Sequence, residues 1–133
     1  MKKKHNFIII NFFRVTDPYS GASEVSFNFF KNIKSRNKIL FQFSEINKKH
    51  KKVKSIIIKN TQLQKLLNLK RMADQVYNFA KNKKDTVIIF EGASWIGYTY
   101  IVYKILKNKI SNVKFIYHSH NVEYLLRKKK NNF

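Results

Sequence analysis

Five short apolar runs punctuate the chain: Phe7–Phe13, Ile39–Phe43, a third within Val53–Lys59, Val87–Phe90 and Val113–Tyr117. They are β-branched and aromatic, the pattern of strands covered on both faces. Between them the spacing turns helical. Val25, Phe29 and Ile33 recur every four residues with Phe30 beside them, which predicts one amphipathic helix after Gly21. Thr61-Gln62-Leu63-Gln64 has the form of a capping box. Behind it Leu66, Leu69, Ala73, Val76 and Ala80 make one stripe of a longer helix ending near Asn82–Lys84. Trp95 to about Lys107 reads as a third helix, apolar on several sides. Asp17-Pro18-Tyr19-Ser20-Gly21 carries turn chemistry, and Asn47–Lys54 is a lysine-rich, solvated connection.

Apolar strands alternating with helices predict an α/β fold: a doubly wound, mostly parallel Rossmann-like sheet of about five strands with flanking helices. Right-handed crossovers put every loop that follows a strand at one edge of such a sheet. Ligands bind at that carboxyl edge, near the point where strand order reverses. Arg14–Gly21, Phe90–Ser94 and His118–Glu123 are therefore expected to meet there.

Composition limits the picture. With 133 residues, 44% of them hydrophobic, the chain is long enough for one domain and short for a complete two-domain enzyme. Cysteine is absent, which excludes disulfides, thiolate zinc sites and cysteine nucleophiles. The net charge of +21 suggests nucleic acid, yet only Arg14, Arg36, Arg71 and Arg127 are arginines. Bidentate base reading favours arginine, so a lysine-coated surface with weak affinity for anionic lipid or RNA is the plainer reading. Met1-Lys2-Lys3-Lys4 before Phe7–Ile10 imitates a signal peptide, but Asn11 and Arg14 interrupt the apolar run and no small-residue cleavage site follows. Trp95 to Leu106 is broken by Lys104 and falls short of the ~20 residues of a membrane span. The expected location is cytoplasmic, with peripheral contact at the inner membrane face.

The loop after the first strand has no G-x-G-x-x-G and no G-K-[ST], so neither a dinucleotide fingerprint nor a P-loop is present. Free amides of a helix opening at Gly21–Glu24 can hold an anion or a sugar hydroxyl, or Gly21 simply allows the turn. Glu24 compensates the helix dipole. His118 and His120 lie two apart where the fifth strand ends. A general-base or polar-contact role fits imidazole, with a surface-loop histidine the plain alternative for each. A metal site is weakly supported, since His5 and His50 lie in lysine-rich surroundings. Asn121 can cap a following helix with Glu123 in its first turn and Arg127–Lys130 toward its far end. Glu91 is expected to point into the cleft and either bind a hydroxyl or pair with a lysine.

Pro18-Tyr19-Ser20-Gly21-Ala22-Ser23-Glu24 and His118-Ser119-His120-Asn121-Val122-Glu123-Tyr124 resemble the amino-terminal domain of family 4 glycosyltransferases of the GT-B fold. The resemblance covers essentially all of residues 1–133 as a partial, acceptor-side domain, with the donor-binding domain absent. It implies retaining sugar transfer from a nucleotide-sugar co-substrate to a glycolipid or polysaccharide acceptor, with no cofactor and no obligatory metal. His120 matches the family histidine that contacts the transferred sugar and is the expected catalytic residue. Ser20, Gly21, Ala22, Glu91, His118 and Asn121 are the expected substrate-binding residues. Two positions depart from the pattern: Ala22 replaces a second glycine, narrowing the approach to phosphate, and Glu91-Gly92 stands where many relatives have a histidine.

A cleft with one wall cannot orient donor against acceptor or exclude water, so little transfer is expected without a carboxy-terminal partner domain. Two other readings compete. One is a non-enzymatic, basic nucleic-acid-binding module with Tyr98, Tyr100 and Tyr103 stacking on bases, although core and surface packing explains those tyrosines more simply. The other is an inactive remnant with an open sheet edge.

Overall fold

The computed structural model describes residues 5–16, 21–44, 50–57, 62–91 and 96–118. They form β1 (Asn6–Asn11), α1 (Gly21–Asn32), β2 (Lys38–Phe43), β3 (Val53–Ile56), α2 (Gln62–Ala80), β4 (Thr86–Glu91), α3 (Ile96–Lys109) and β5 (Val113–His118). All five strands are parallel and run in the order β3-β2-β1-β4-β5. The fold is the doubly wound, Rossmann-like α/β sheet that the alternation of runs predicts. The order steps outward from β1 through β2 to β3, then α2 carries the chain back to β4 on the other side. Strand order thus reverses between β1 and β4, which opens a crevice at their carboxyl ends.

Alternate residues of the central strands feed two cores. Ile8, Ile10, Ile39, Phe41, Ile88 and Phe90 face α2 and α3, where Leu69, Met72, Val76, Val102 and Leu106 meet them. Ile9, Leu40, Val87 and Ile89 face α1 through Phe30, with Phe27, Phe29 and Ile33 at the margin. Burial on both faces explains why β1 and β4 read as continuous apolar runs rather than alternating ones.

Two helices bury a different stripe from the one their apolar spacing predicts. In α1 the buried residues are Ser23, Ser26 and Phe30, while Val25 is 53% exposed. The reason lies in the sheet, whose carboxyl end offers α1 polar partners and so draws hydroxyls inward. In α2 Leu69, Ala73, Val76 and Ala80 are buried as expected, but Leu66 is 63% exposed and Met72 takes its place in the core. β1 also stops at Asn11, two residues before the end of its apolar run; Phe12 and Phe13 continue as buried and half-buried parts of the following loop. The capping residue predicted for α2, Thr61, lies outside the described residues.

Lys52, Asp85 and Asn112 have φ of 67°, 55° and 63° and stand directly before β3, β4 and β5. Three strands are therefore approached through one left-handed residue, a conformation that Asn and Asp tolerate best.

The carboxyl end of α1 is closed by a lysine. Lys38 Nζ donates to the carbonyls of Phe30, Lys31 and Ile33 at 2.8, 3.1 and 3.0 Å and lies 4.8 Å from the Phe30 ring centroid. A cation there satisfies the last carbonyls and complements the helix dipole. Burial, and secondarily the charge of Lys52, pull its pKa below the ordinary 10.5. Lys38→Ala is expected to cost about 1–2 kcal/mol in urea denaturation. In the intact protein, NMR of the lysine ε-carbons should show Lys38 losing its proton at lower pH than the surface lysines.

Candidate functional site at the carboxyl edge

A polar row crosses the sheet where the apolar core ends. Its members are Ser55 on β3, Gln42 on β2, Asn11 on β1, Glu91 on β4 and His118 on β5. Ser55 pairs with Gln42, Asn11 with Glu91, and Glu91 with His118 in the strand register. Gln42 sits one residue beyond the Ile10–Phe41 pair, so it stands level with Asn11. Strand alternation puts all five on the α1 face of the sheet.

Gln42 organises the loop that leaves β1. Its Oε1 accepts the backbone N–H of Val15 at 2.9 Å and that of Thr16 at 3.2 Å. Its Nε2 donates to Thr16 Oγ1 at 2.9 Å and to Ser55 Oγ at 2.8 Å. The loop leading toward Gly21 is therefore tied to β2 by a side chain.

Glu91 is fully buried at 0% exposure. Its Oε2 accepts the Ser26 hydroxyl at 3.2 Å, and its Oε1 meets Nδ1 of His118 in a very short contact. The His118 ring also stacks on Phe29, with centroids 4.7 Å apart and planes 26° from parallel. One contact sets the ring's rotation in its plane and the other sets the plane. The His118 side chain is 40% exposed, so this oriented imidazole reaches solvent while its carboxylate partner does not.

Asn11 is the anomaly of the row. It is completely buried, yet neither its Oδ1 nor its Nδ2 has a hydrogen-bond partner among the described residues. Most buried polar groups in folded proteins are satisfied, and each exception needs a cause.

The expected site residues divide as follows. Gly21 opens α1 and Ala22 follows it, both exposed, at the edge where β1, β4 and β5 end. A Cβ added at Gly21 would meet nothing within 4 Å, so packing among the described residues does not require glycine there. Glu91 and His118 come together in direct contact. Glu91, expected to bind a hydroxyl or pair with a lysine, has its oxygens on the Ser26 hydroxyl and the His118 imidazole. His118 is the last residue of β5, not a surface-loop residue, because the β4–β5 ladder extends through the Glu91–His118 pair. Ser20, His120 and Asn121 lie outside the described residues. Asn11, Ser26, Phe29 and Gln42 belong to the site and escaped the sequence reading. No group of three or more His, Asp or Glu suited to a metal ion occurs among the described residues.

On the opposite face a second concavity of about 330 Å³ opens between the start of α3 and the end of β5. Ile96, Tyr100, Tyr103, Phe115 and Tyr117 line it together with Thr99, whose buried hydroxyl has no partner among the described residues. Burial raises the pKa of the Tyr117 phenol and keeps it neutral. No helix among the described residues is long and apolar enough to cross a membrane.

Fold and site together define a Rossmann-like α/β domain whose polar residues gather at the strand-order reversal. Comparison with protein-family models, curated proteins and solved structures found no match to this chain.

Proposed function

We propose that this domain is the acceptor-side half of a glycosyltransferase that moves a sugar from a nucleotide-sugar to a glycolipid or polysaccharide acceptor. The observation that carries the reading is that Gly21 and His118, the described ends of two segments, lie at one edge. The amino terminus of α1 at Gly21 and the end of β5 at His118 both lie at the carboxyl side of a parallel sheet. These are the two segments whose sequences resemble family 4 glycosyltransferases. Helix amides at Gly21–Glu24 suit a phosphate or sugar hydroxyl, and exposed His118, held by the buried Glu91, supplies a polar contact for a polyhydroxy ligand. The apolar groove between α3 and β5 opens at the same edge and suits the hydrocarbon part of a lipid-linked acceptor. In this reading His120 contacts the transferred sugar, a second lobe completes the donor site that Gly21–Glu24 begins, and surface lysines hold the domain near anionic lipid at the cytoplasmic face of a membrane.

The test uses amide NMR of the chain titrated with UDP-glucose, UDP-N-acetylglucosamine and GDP-mannose. Shifts are expected at Gly21–Glu24, Glu91 and His118. Gly21→Leu should abolish them and leave the rest of the spectrum intact, because its Cβ has open space. With a donor-binding domain supplied, labelled sugar should pass into the lipid fraction, and His120→Ala should slow that transfer about a hundredfold. Shifts confined to the amino edge of the strands, or transfer indifferent to His120→Ala, would overturn the reading.

A further inference from the structure

We propose that Ser26, Glu91 and His118 form a relay that fixes one tautomer of the imidazole, making His118 an acceptor that reads ligand hydroxyls. The inference rests on the sugar-transfer reading for the class of ligand; the relay itself does not depend on it.

An ionised carboxylate has no proton to give and can only accept hydrogen bonds. Both oxygens of Glu91 are engaged within the protein: Oε2 takes the Ser26 hydroxyl, and Oε1 meets Nδ1 of His118. Burial of the carboxylate makes each of these bonds matter, because a buried charge needs its hydrogen-bond partners. The neutral ring must then carry its hydrogen on Nδ1, which leaves Nε2 the lone-pair nitrogen. In free histidine the opposite tautomer prevails, so the carboxylate reverses the ring's intrinsic preference. Phe29, stacked at 4.7 Å, holds the ring plane, so the direction of that lone pair is set as well as its identity.

A fixed acceptor selects by chemistry. It takes a hydrogen bond from a hydroxyl and gains nothing from an ether, a keto group or a deoxy carbon. A sugar ring is a natural ligand for such a group, since each hydroxyl can donate. Glu91 and Ser26 are positioning residues in this scheme, and of the three only His118 touches the ligand. Ser26 explains why α1 turns a serine inward where its apolar pattern predicts valine.

Long-range ¹H–¹⁵N NMR of the intact chain, followed upward in pH until the His118 ring nitrogens stop shifting, reads the tautomer of the neutral ring directly. His118 is expected as the Nδ1–H form. Ser26→Ala, a small change that leaves packing almost untouched, should shift the ring toward a mixture, and Glu91→Leu should release it to the Nε2–H form. An Nε2–H ring in the unsubstituted protein would overturn the relay whatever the fold of the variants. The hydroxyl reading is tested with UDP-glucose and its single-deoxy analogues, following the Nε2 resonance. One analogue should bind about tenfold more weakly, the worth of one hydrogen bond, and should fail to move that resonance. Binding that shifts the Gly21 amide but leaves Nε2 still for every sugar would refute this inference and spare the transferase reading. Absence of binding by every nucleotide-sugar named above would count against the transferase reading and the hydroxyl class together, while the tautomer still decides the relay.

Discussion

Gln42→Leu is expected to remove about 3–4 kcal/mol of stability, an unusually large loss for a side chain of nearly unchanged size. The loss comes from the groups left behind. The N–H groups of Val15 and Thr16 and the hydroxyls of Thr16 and Ser55 all bond to this one amide. Val15 and Thr16 are buried, so water cannot readily replace it. A buried donor without an acceptor costs about 1–3 kcal/mol, and two backbone donors are stranded at once. Urea denaturation measures the total. Amide hydrogen exchange locates it, because Val15 and Thr16 should lose protection before β1 does. A loss under about 1 kcal/mol would mean that the loop holds its shape without Gln42. Because that loop leads to Gly21, the variant should also weaken whatever ligand the helix amides hold.

The second large effect has the opposite sign. Asn11→Leu should stabilise the protein by about 1–3 kcal/mol, since it removes a buried amide with no partner on either atom among the described residues and keeps the volume similar. Asn11→Asp should do the reverse. It puts a second carboxyl level with Glu91 in the register, where two neighbouring charges cannot both ionise cheaply. Burial and the neighbouring charge raise the folded-state pKa of the new carboxyl above its unfolded value of about 3.9. Its penalty is therefore small at acid pH and grows as pH rises through and beyond that value. Thermal melts of both variants from about pH 4 to 8 check the sign and the slope. A destabilised Asn11→Leu would show that the amide has a role in the free protein that its surroundings do not reveal.

Much of the fold was legible because it depends on local runs. Ile8-Ile9-Ile10 and Val87–Phe90 announce central strands, and the intervening helical spacings force parallel crossovers. What escaped depends on contacts between elements. Reading α1 by apolar spacing put Val25 inside, yet a helix buries whatever its facing surface rewards, and here that surface is polar. The Glu91–His118 pair is separated by 27 positions, beyond the reach of any local pattern. One signal was available: each is the polar residue that closes an apolar run, and consecutive parallel strands of equal length bring such closing residues level. The same argument brings in Asn11 and Gln42, which interrupt or end runs that are otherwise apolar.

The row of five polar side chains also bears on how the strands find their alignment. Strands made of isoleucine, valine and phenylalanine on both faces can slide past one another by two residues and still bury hydrocarbon, so hydrophobicity alone discriminates weakly among sliding states. Ser55, Gln42, Glu91 and His118, whose side-chain contacts are made in this alignment, remove that ambiguity. Displacing β2, β3, β4 or β5 would drive an amide, a hydroxyl, a carboxylate or an imidazole into hydrocarbon and strand the partners it left. The chemistry gathered at the ligand edge thus doubles as a vernier for assembly, and substitutions that make this row apolar should yield chains that collapse readily but settle into several misaligned sheets.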